Sequence, residues 1–109
     1  MTDLEYLNHA EAALQAVELA CDQINETSDA DIDNQRSGGM ITLTFANKSQ
    51  IVMNLQKPLQ EIWLSAKAGG YHYKYVDGQW LDTKNAADLF FVLTREASAQ
   101  AGQVELFSS

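Results

Sequence analysis

The sequence predicts an α+β fold: a two-layer α/β sandwich with an N-terminal and a C-terminal helix on one face of an antiparallel sheet of about six strands. Three observations predict it. The chain opens and closes on segments whose apolar residues recur every three to four positions. The stretch between them alternates apolar and polar residues in short runs. The connections between those runs are short, which makes consecutive strands antiparallel neighbours. Two helices with one apolar stripe each, and a sheet with one apolar face, bury those surfaces in two layers. At 109 residues and 46% apolar content the chain is read as one domain, 1–109, large enough for a hydrophobic core.

In the first helix Leu7, Ala10, Leu14, Val17, Cys21 and Ile24 recur at spacings of 3, 4, 3, 4 and 3, building one apolar stripe. Glu11, Gln15, Glu18 and Asp22 form a second stripe beside it. Glu18 and Asp22 are like charges four residues apart, which costs a few tenths of a kcal/mol in an isolated helix. No lysine balances them, so the expected strain is one that a bound cation relieves. "NETSDADIDNQRSGG" then ends the helix and enters the strands.

"MITLTF" sets Ile41, Leu43 and Phe45 against Thr42 and Thr44, and "ANKS" turns the chain. "SQIVMNLQ" sets Ile51, Met53 and Leu55 against Val52, Asn54 and Gln56, and Pro58 marks a break. "EIWLSA" places Ile62 and Leu64 on one face and Trp63 and Ser65 on the other; "YHYKYV" gives Tyr71, Tyr73 and Tyr75 a shared face. "VDGQW" is a hairpin signal leading to a last short strand, "QWLD". "NAADLFFVLTREASAQA" reads as helix, with Ala86, Leu89, Phe90, Leu93 and Ala97 on its apolar face and Asn85 with Asp88 to cap its start.

The net charge of −8 is unevenly spread. Residues 1–33 hold nine acids (Asp3, Glu5, Glu11, Glu18, Asp22, Glu26, Asp29, Asp31 and Asp33) and no Lys or Arg, while the remainder is nearly neutral. This argues against nucleic acid, which requires a basic stripe, and against anionic membrane surfaces. It favours a cationic partner: a metal ion or a basic protein patch. No apolar run is long enough to cross a membrane, and the first residues lack the basic start of a secretory signal. The single cysteine, Cys21, has no internal disulfide partner, which fits a reducing cytoplasm.

The densest acids lie in "DADID", residues 29–33. Read as a calcium loop from Asp29, its sixth position is Asn34 rather than Gly and its twelfth is Met40 rather than Glu, so an EF-hand is excluded. Alternate residues of a strand lie about 6.6–7 Å apart, too far to cage one ion with ligands at about 2.0–2.6 Å. Metal bound here is held weakly, at overlapping sites completed by water, and all-oxygen ligands suit hard cations such as Fe³⁺, Fe²⁺, Mn²⁺, Ca²⁺ or Mg²⁺. A solvated acidic face is the competing reading.

If Ile51, Met53, Leu55, Ile62 and Leu64 face the helices, Thr42, Thr44, Asn54, Gln56 and Trp63 face outward. A tryptophan amid Asn and Gln on a flat face resembles a binding hot spot. A ring covered by the following loop, stiffening the sheet, fits the same phase. Enzyme readings are poor. Cys21 lies on the apolar stripe, His9 and His72 are far apart, and no P-loop, C-x-x-C, H-x-x-x-H or GxGxxG motif occurs.

"NLQKPLQEIWLSAKAGGYHY" resembles the core of the frataxin family in its bacterial form. The resemblance rests on Asn54-x-Gln56-x-Pro58, Trp63-Leu64 and Gly69-Gly70-Tyr71-His72, supported by "GGMITLTF" and "GQWLD", and covers essentially the whole chain. It implies a non-enzymatic protein that binds iron, Fe²⁺ or Fe³⁺, weakly through an acidic ridge, with other hard divalent or trivalent cations as substitutes. It also implies a role in iron–sulfur cluster assembly, by docking on a cysteine desulfurase and its scaffold protein. Carried over by position, the ridge is Glu18, Asp22, Asp29 and Asp31; Glu11, Glu26 and Asp33 are neighbours added from the residue reading. Asn54, Gln56 and Trp63 match family positions that touch the assembly machinery. The expected state is a monomer that metal can drive into oligomers. Leu19 and Gln23 depart from the family's acids, and Glu61 replaces a common Gln. A ferroxidase or iron store, and a metal-independent acidic adaptor, are the alternatives.

Overall fold

A computed structural model of the chain describes residues 1–103 and 105–108. Helix α1 spans Asp3–Thr27. Six strands follow, β1 (Asp33–Ser37), β2 (Met40–Thr44), β3 (Gln50–Gln56), β4 (Glu61–Ala66), β5 (Gly69–Val76) and β6 (Gln79–Asp82), and α2 (Leu89–Ala101) closes the chain. The strands lie in sequence order and every neighbouring pair is antiparallel. This is the expected two-layer arrangement.

Thr2 starts α1 with a reciprocal cap: its hydroxyl accepts from the Glu5 amide at 3.1 Å, and the Glu5 carboxylate accepts from the Thr2 amide at 2.9 Å. The helix buries Tyr6, Ala10, Ala13, Leu14, Val17, Ala20, Cys21 and Ile24. That is a wider stripe than the expected one, and Leu7 sits only at its margin. Tyr6 fixes the helix to the sheet, its hydroxyl donating to the Glu61 carbonyl at 2.7 Å. Ile41, Leu43, Ile51, Met53, Ile62, Leu64 and Tyr73 meet α1 and α2 from the sheet, so the strand phases read from the sequence hold. Truncating a core residue such as Leu64 to alanine costs about 2–5 kcal/mol.

The turns follow their residues. Asp77 and Gly78 both take positive φ, 49° and 83°, the conformation that a two-residue hairpin with right-twisted strands requires. The C-terminal helix is shorter than its sequence pattern. Ala86 has φ 60° and is exposed, so it lies on no helix face, and α2 begins only at Leu89. Asp88 alone caps it, accepting from the Phe90 and Phe91 amides at 3.0 and 3.3 Å. Asn85 instead closes the preceding turn by accepting from the Ala87 amide. The cause is β6, whose Asp82 exchanges backbone hydrogen bonds with Ala86 and Ala87 and holds that segment as a turn.

Candidate functional site

The structure carries two outward surfaces, one on each layer. The first runs along α1 into β1. Glu11 and Glu18 lie seven residues apart, about 20° around the helix, and both meet Arg36. Its two terminal nitrogens donate at 2.6 Å, Nη2 to Glu11 and Nη1 to Glu18. Arg36 pairs with Ile41 across β1–β2, and Ile41 points into the core, so register turns Arg36 toward the helix layer. Both carboxylates, with the Glu11 hydrogen bond foremost, hold the guanidinium pKa above its ordinary value. The expectation that the helix stripe lacks a balancing cation is therefore corrected. The cation is Arg36, the first base in the chain, and it arrives from the neighbouring strand. Its Nε is buried and finds no hydrogen-bond partner among the described residues.

The other ridge acids are spread out. Asp22, Glu26, Asp29, Asp31 and Asp33 are all exposed. "DADID" is a loop rather than a strand as far as Ile32, and its alternation has a packing cause: Ala30 and Ile32 are buried while the aspartates between them point outward. Asn25 pins the loop to the helix, its side-chain amide donating to the Ile32 carbonyl and accepting from the Ile32 amide, both at 2.8 Å. Asp31 takes the left-handed conformation, φ 52°, that Asp tolerates better than most residues. Asp33 pairs with Thr44 on the face opposite to Arg36, so the sheet separates it from the helix acids. Among the described residues no three His, Cys, Asp or Glu side chains converge to hold one metal ion.

The second surface is the face of the sheet away from the helices. Asn54 on β3, Trp63 on β4 and His72 on β5 are direct cross-strand neighbours, and so are Gln56, Glu61 and Lys74. Trp63 is half-buried, and its indole stacks on His72 with ring centroids 4.1 Å apart and planes 4° from parallel. The ring's stacking partner is thus a residue of the next strand. The Trp63 Nε1–H donates to Glu61 Oε1 at 2.8 Å. Lys74 Nζ pairs with Glu61 Oε2 at 3.2 Å, and His72 Nδ1 lies 3.9 Å from Glu61 Oε1. Burial of Glu61 favours its neutral form, but the hydrogen bonds from Trp63 and Lys74 and the positive field of Lys74 and His72 outweigh it, and the pKa falls below the ordinary carboxylate value.

Sequence reading placed Trp63, Asn54 and Gln56 on this face but missed the ties to His72, Glu61 and Lys74. The signal was available: the short "KAGG" turn fixes the β4–β5 register and sets 63 opposite 72 and 61 opposite 74. On the other flank of α1 a cleft of about 340 Å³ is lined by His9, Tyr75, Trp80, Asp88 and Phe90, with His9 stacked on Tyr75 at 4.1 Å. Among the described residues that line it there is no nucleophile–base pair. Burial, followed by the nearby Asp22 and Glu18 charges, pushes the Cys21 thiol up to about 12, so it is inert packing at neutral pH.

Two helices packed on one face of a six-stranded antiparallel sheet is the fold of solved frataxin structures. The frataxin-like domain model matches residues 1–103, and the chain belongs to the frataxin family. It is 65% identical over 109 residues to the iron–sulfur cluster assembly protein CyaY of Polaromonas sp. (strain JS666 / ATCC BAA-500), covering 100% of this chain and 94% of that protein. The CyaY protein of Variovorax paradoxus is 63% identical over 103 residues, 94% of each chain. Among solved structures, the frataxin of Psychromonas ingrahamii superposes with a TM-score of 0.86 at 30% identity, covering all of both chains. A trimeric frataxin from Saccharomyces cerevisiae, complexed with ferrous iron, superposes with a TM-score of 0.75 at 25% identity, over 87% of each chain.

Proposed function

We propose that this protein works in iron–sulfur cluster assembly. It is a non-enzymatic cytoplasmic monomer that docks on a cysteine desulfurase and its scaffold and presents weakly held iron to them. The observation that carries the reading is the row Asn54–Trp63–His72: a large aromatic side chain set among hydrogen-bonding groups on an otherwise uncovered sheet face. The names of the similar proteins support the assembly role, and the ferrous complex of the yeast relative supports iron as the cargo. The exposed carboxylates of Asp22, Glu26, Asp29 and Asp31 supply hard oxygen ligands at the α1–β1 end, with water completing the shell. Glu11 and Glu18 join them only if Arg36 is displaced, and Asp33 acts from the other face.

A second reading has one observation in its favour. Arg36 already neutralises two acids of the helix stripe, so the ridge can serve as a metal-independent adaptor for a basic patch. Anaerobic Fe²⁺ titration with and without the desulfurase–scaffold complex separates the two. Weak multi-site uptake by the free protein that strengthens in the complex supports iron presentation. Tight docking with no iron uptake in either state supports the adaptor, and absence of docking removes both.

A further inference from the structure

Glu61 stands where three groups meet. Its backbone carbonyl is held from the helix layer by Tyr6, while its side chain, only 10% exposed, emerges on the opposite face of the sheet. There one carboxylate oxygen accepts the Trp63 indole N–H and the other is paired with Lys74. Lys74 is held in turn, donating to the Leu59 carbonyl at 2.9 Å. A half-buried indole has a broad, roughly two-fold χ2 torsion, and stacking on His72 restrains the ring plane without fixing which edge faces the strand. The hydrogen bond to Glu61 selects the edge. A charged acceptor makes this a strong bond, and the pair with Lys74 keeps the acceptor charged and in place.

We infer that Glu61 is the positioning residue of the docking face: it locks the Trp63 indole in the orientation that the partner meets. The inference rests on the docking role given to Trp63 above. Glu61 acts through the indole and needs no contact with the partner itself. Lys74 has a lesser part, holding the carboxylate; the indole bond survives its removal.

The test uses the full chain and two readouts. The chain has two tryptophans, Trp63 and Trp80, so the ¹H–¹⁵N spectrum carries two indole resonances, assigned through a Trp63→Phe variant. In Glu61→Ala the Trp63 indole resonance moves and its hydrogen exchange accelerates, while the Trp80 resonance stays in place, reporting an intact core even as the thermal midpoint falls modestly with the lost Glu61 contacts. Affinity for the desulfurase–scaffold complex falls roughly tenfold, as expected for loss of a hydrogen bond to a charged group. Glu61→Gln keeps an acceptor oxygen and restores most of the affinity and the protected indole. Lys74→Ala gives a smaller loss of the same kind. An unmoved Trp63 resonance in Glu61→Ala overturns the inference whatever the partner does. A moved resonance with unchanged affinity overturns it too, provided Trp63→Ala binds poorly. If Trp63→Ala binds normally, the docking role of this face fails first, a result separate from the indole readout.

Discussion

The two outward surfaces of this domain are held by different means. On the open face, side chains are placed by backbone register: each contact from Asn54 to His72 and from Gln56 to Lys74 follows from which residue lies opposite which on β3, β4 and β5. On the α1–β1 side, long charged side chains meet across a helix and an edge strand. Among the described residues only Arg36 ties them together, and the remaining acids stand apart in solvent. A registered face suits shape-specific docking, because its aromatic anchor is ordered before the partner arrives. A spread of exposed carboxylates suits long-range attraction and loose cation exchange, because it favours positive charge without fixing a geometry.

The comparison breaks most sharply at Trp63. Trp63→Ala is expected to fold, with its core intact, and to lose roughly 2 kcal/mol or more of binding to the assembly complex, about 30-fold. Calorimetric binding together with thermal unfolding reads both quantities. A variant that unfolds shows that the ring is core, and one that binds normally shows that the face is not a docking surface. Glu61 adds a pH arm. Its carboxyl is held below its ordinary value, so its contribution to stability is fully present above the ordinary carboxylate pKa of about 4.3. It is lost as the pH falls through the lower folded value.

The acidic side is expected to respond to salt. Exposed charges are screened beyond about 8 Å at physiological ionic strength, so raising ionic strength slows association with the basic surface of a partner, by roughly tenfold in the on-rate for strong steering. The affinity lost through Trp63→Ala stays nearly constant across the same salt range. If the salt effect resides instead in dissociation, the acids make close contacts rather than steering contacts.

How much of this was legible before the structure follows from the same division. The sheet phases could be read because Ile51, Met53, Ile62 and Leu64 alternate with polar residues, and period-2 geometry leaves no freedom once one face is buried. The open face could be read with them. The partner of Glu11 and Glu18 could not, because Arg36 lies in a strand of five polar residues, "DNQRS", that has no apolar alternation to give its phase. Only the β1–β2 register, set by the Gly38–Gly39 turn, tells which way Arg36 points. The start of α2 was misread for a related reason. Asn85 and Asp88 both suit a helix N-cap, and a tertiary contact with Asp82, invisible in local sequence, holds the residues between them as a turn and leaves the cap to Asp88.

Arg36 is where the acidic side can be sharpened next. Arg36→Gln removes a guanidinium that is 24% exposed and held at 2.6 Å by two carboxylates. Folding stability is expected to fall by about 1 kcal/mol, the upper end for pairs of this exposure. Two unneutralised carboxylates then face each other, so uptake of a hard divalent cation such as Mn²⁺ is expected to rise in the same variant. Opposite signs for stability and metal uptake would show that Arg36 occupies part of the ridge. A fall in both would show that it only holds β1 against the helix.

The smallest effect separates Glu18 from Asp22. Taken alone, the helix sequence says that neutralising either should stabilise the protein, because they repel each other four residues apart. The structure splits them. Glu18 is half-buried and accepts from Arg36 Nη1, whereas Asp22 is exposed and has no ion-pair partner among the described residues. Glu18→Gln therefore exchanges an ion pair for a hydrogen bond in which only the Arg36 donor is charged, and the lost attraction to Arg36 exceeds the relieved repulsion; a loss of about 0.5 kcal/mol is expected. Asp22→Asn removes repulsion and no attraction, so a gain of a few tenths of a kcal/mol is expected. The difference should shrink in high salt, because one side of it is a surface repulsion and the other a partly buried contact. Chemical denaturation of the two variants at low and high ionic strength measures it. Equal effects of the same sign would mean that the Arg36 bridge contributes nothing in solution and that the whole helix stripe behaves as free acid.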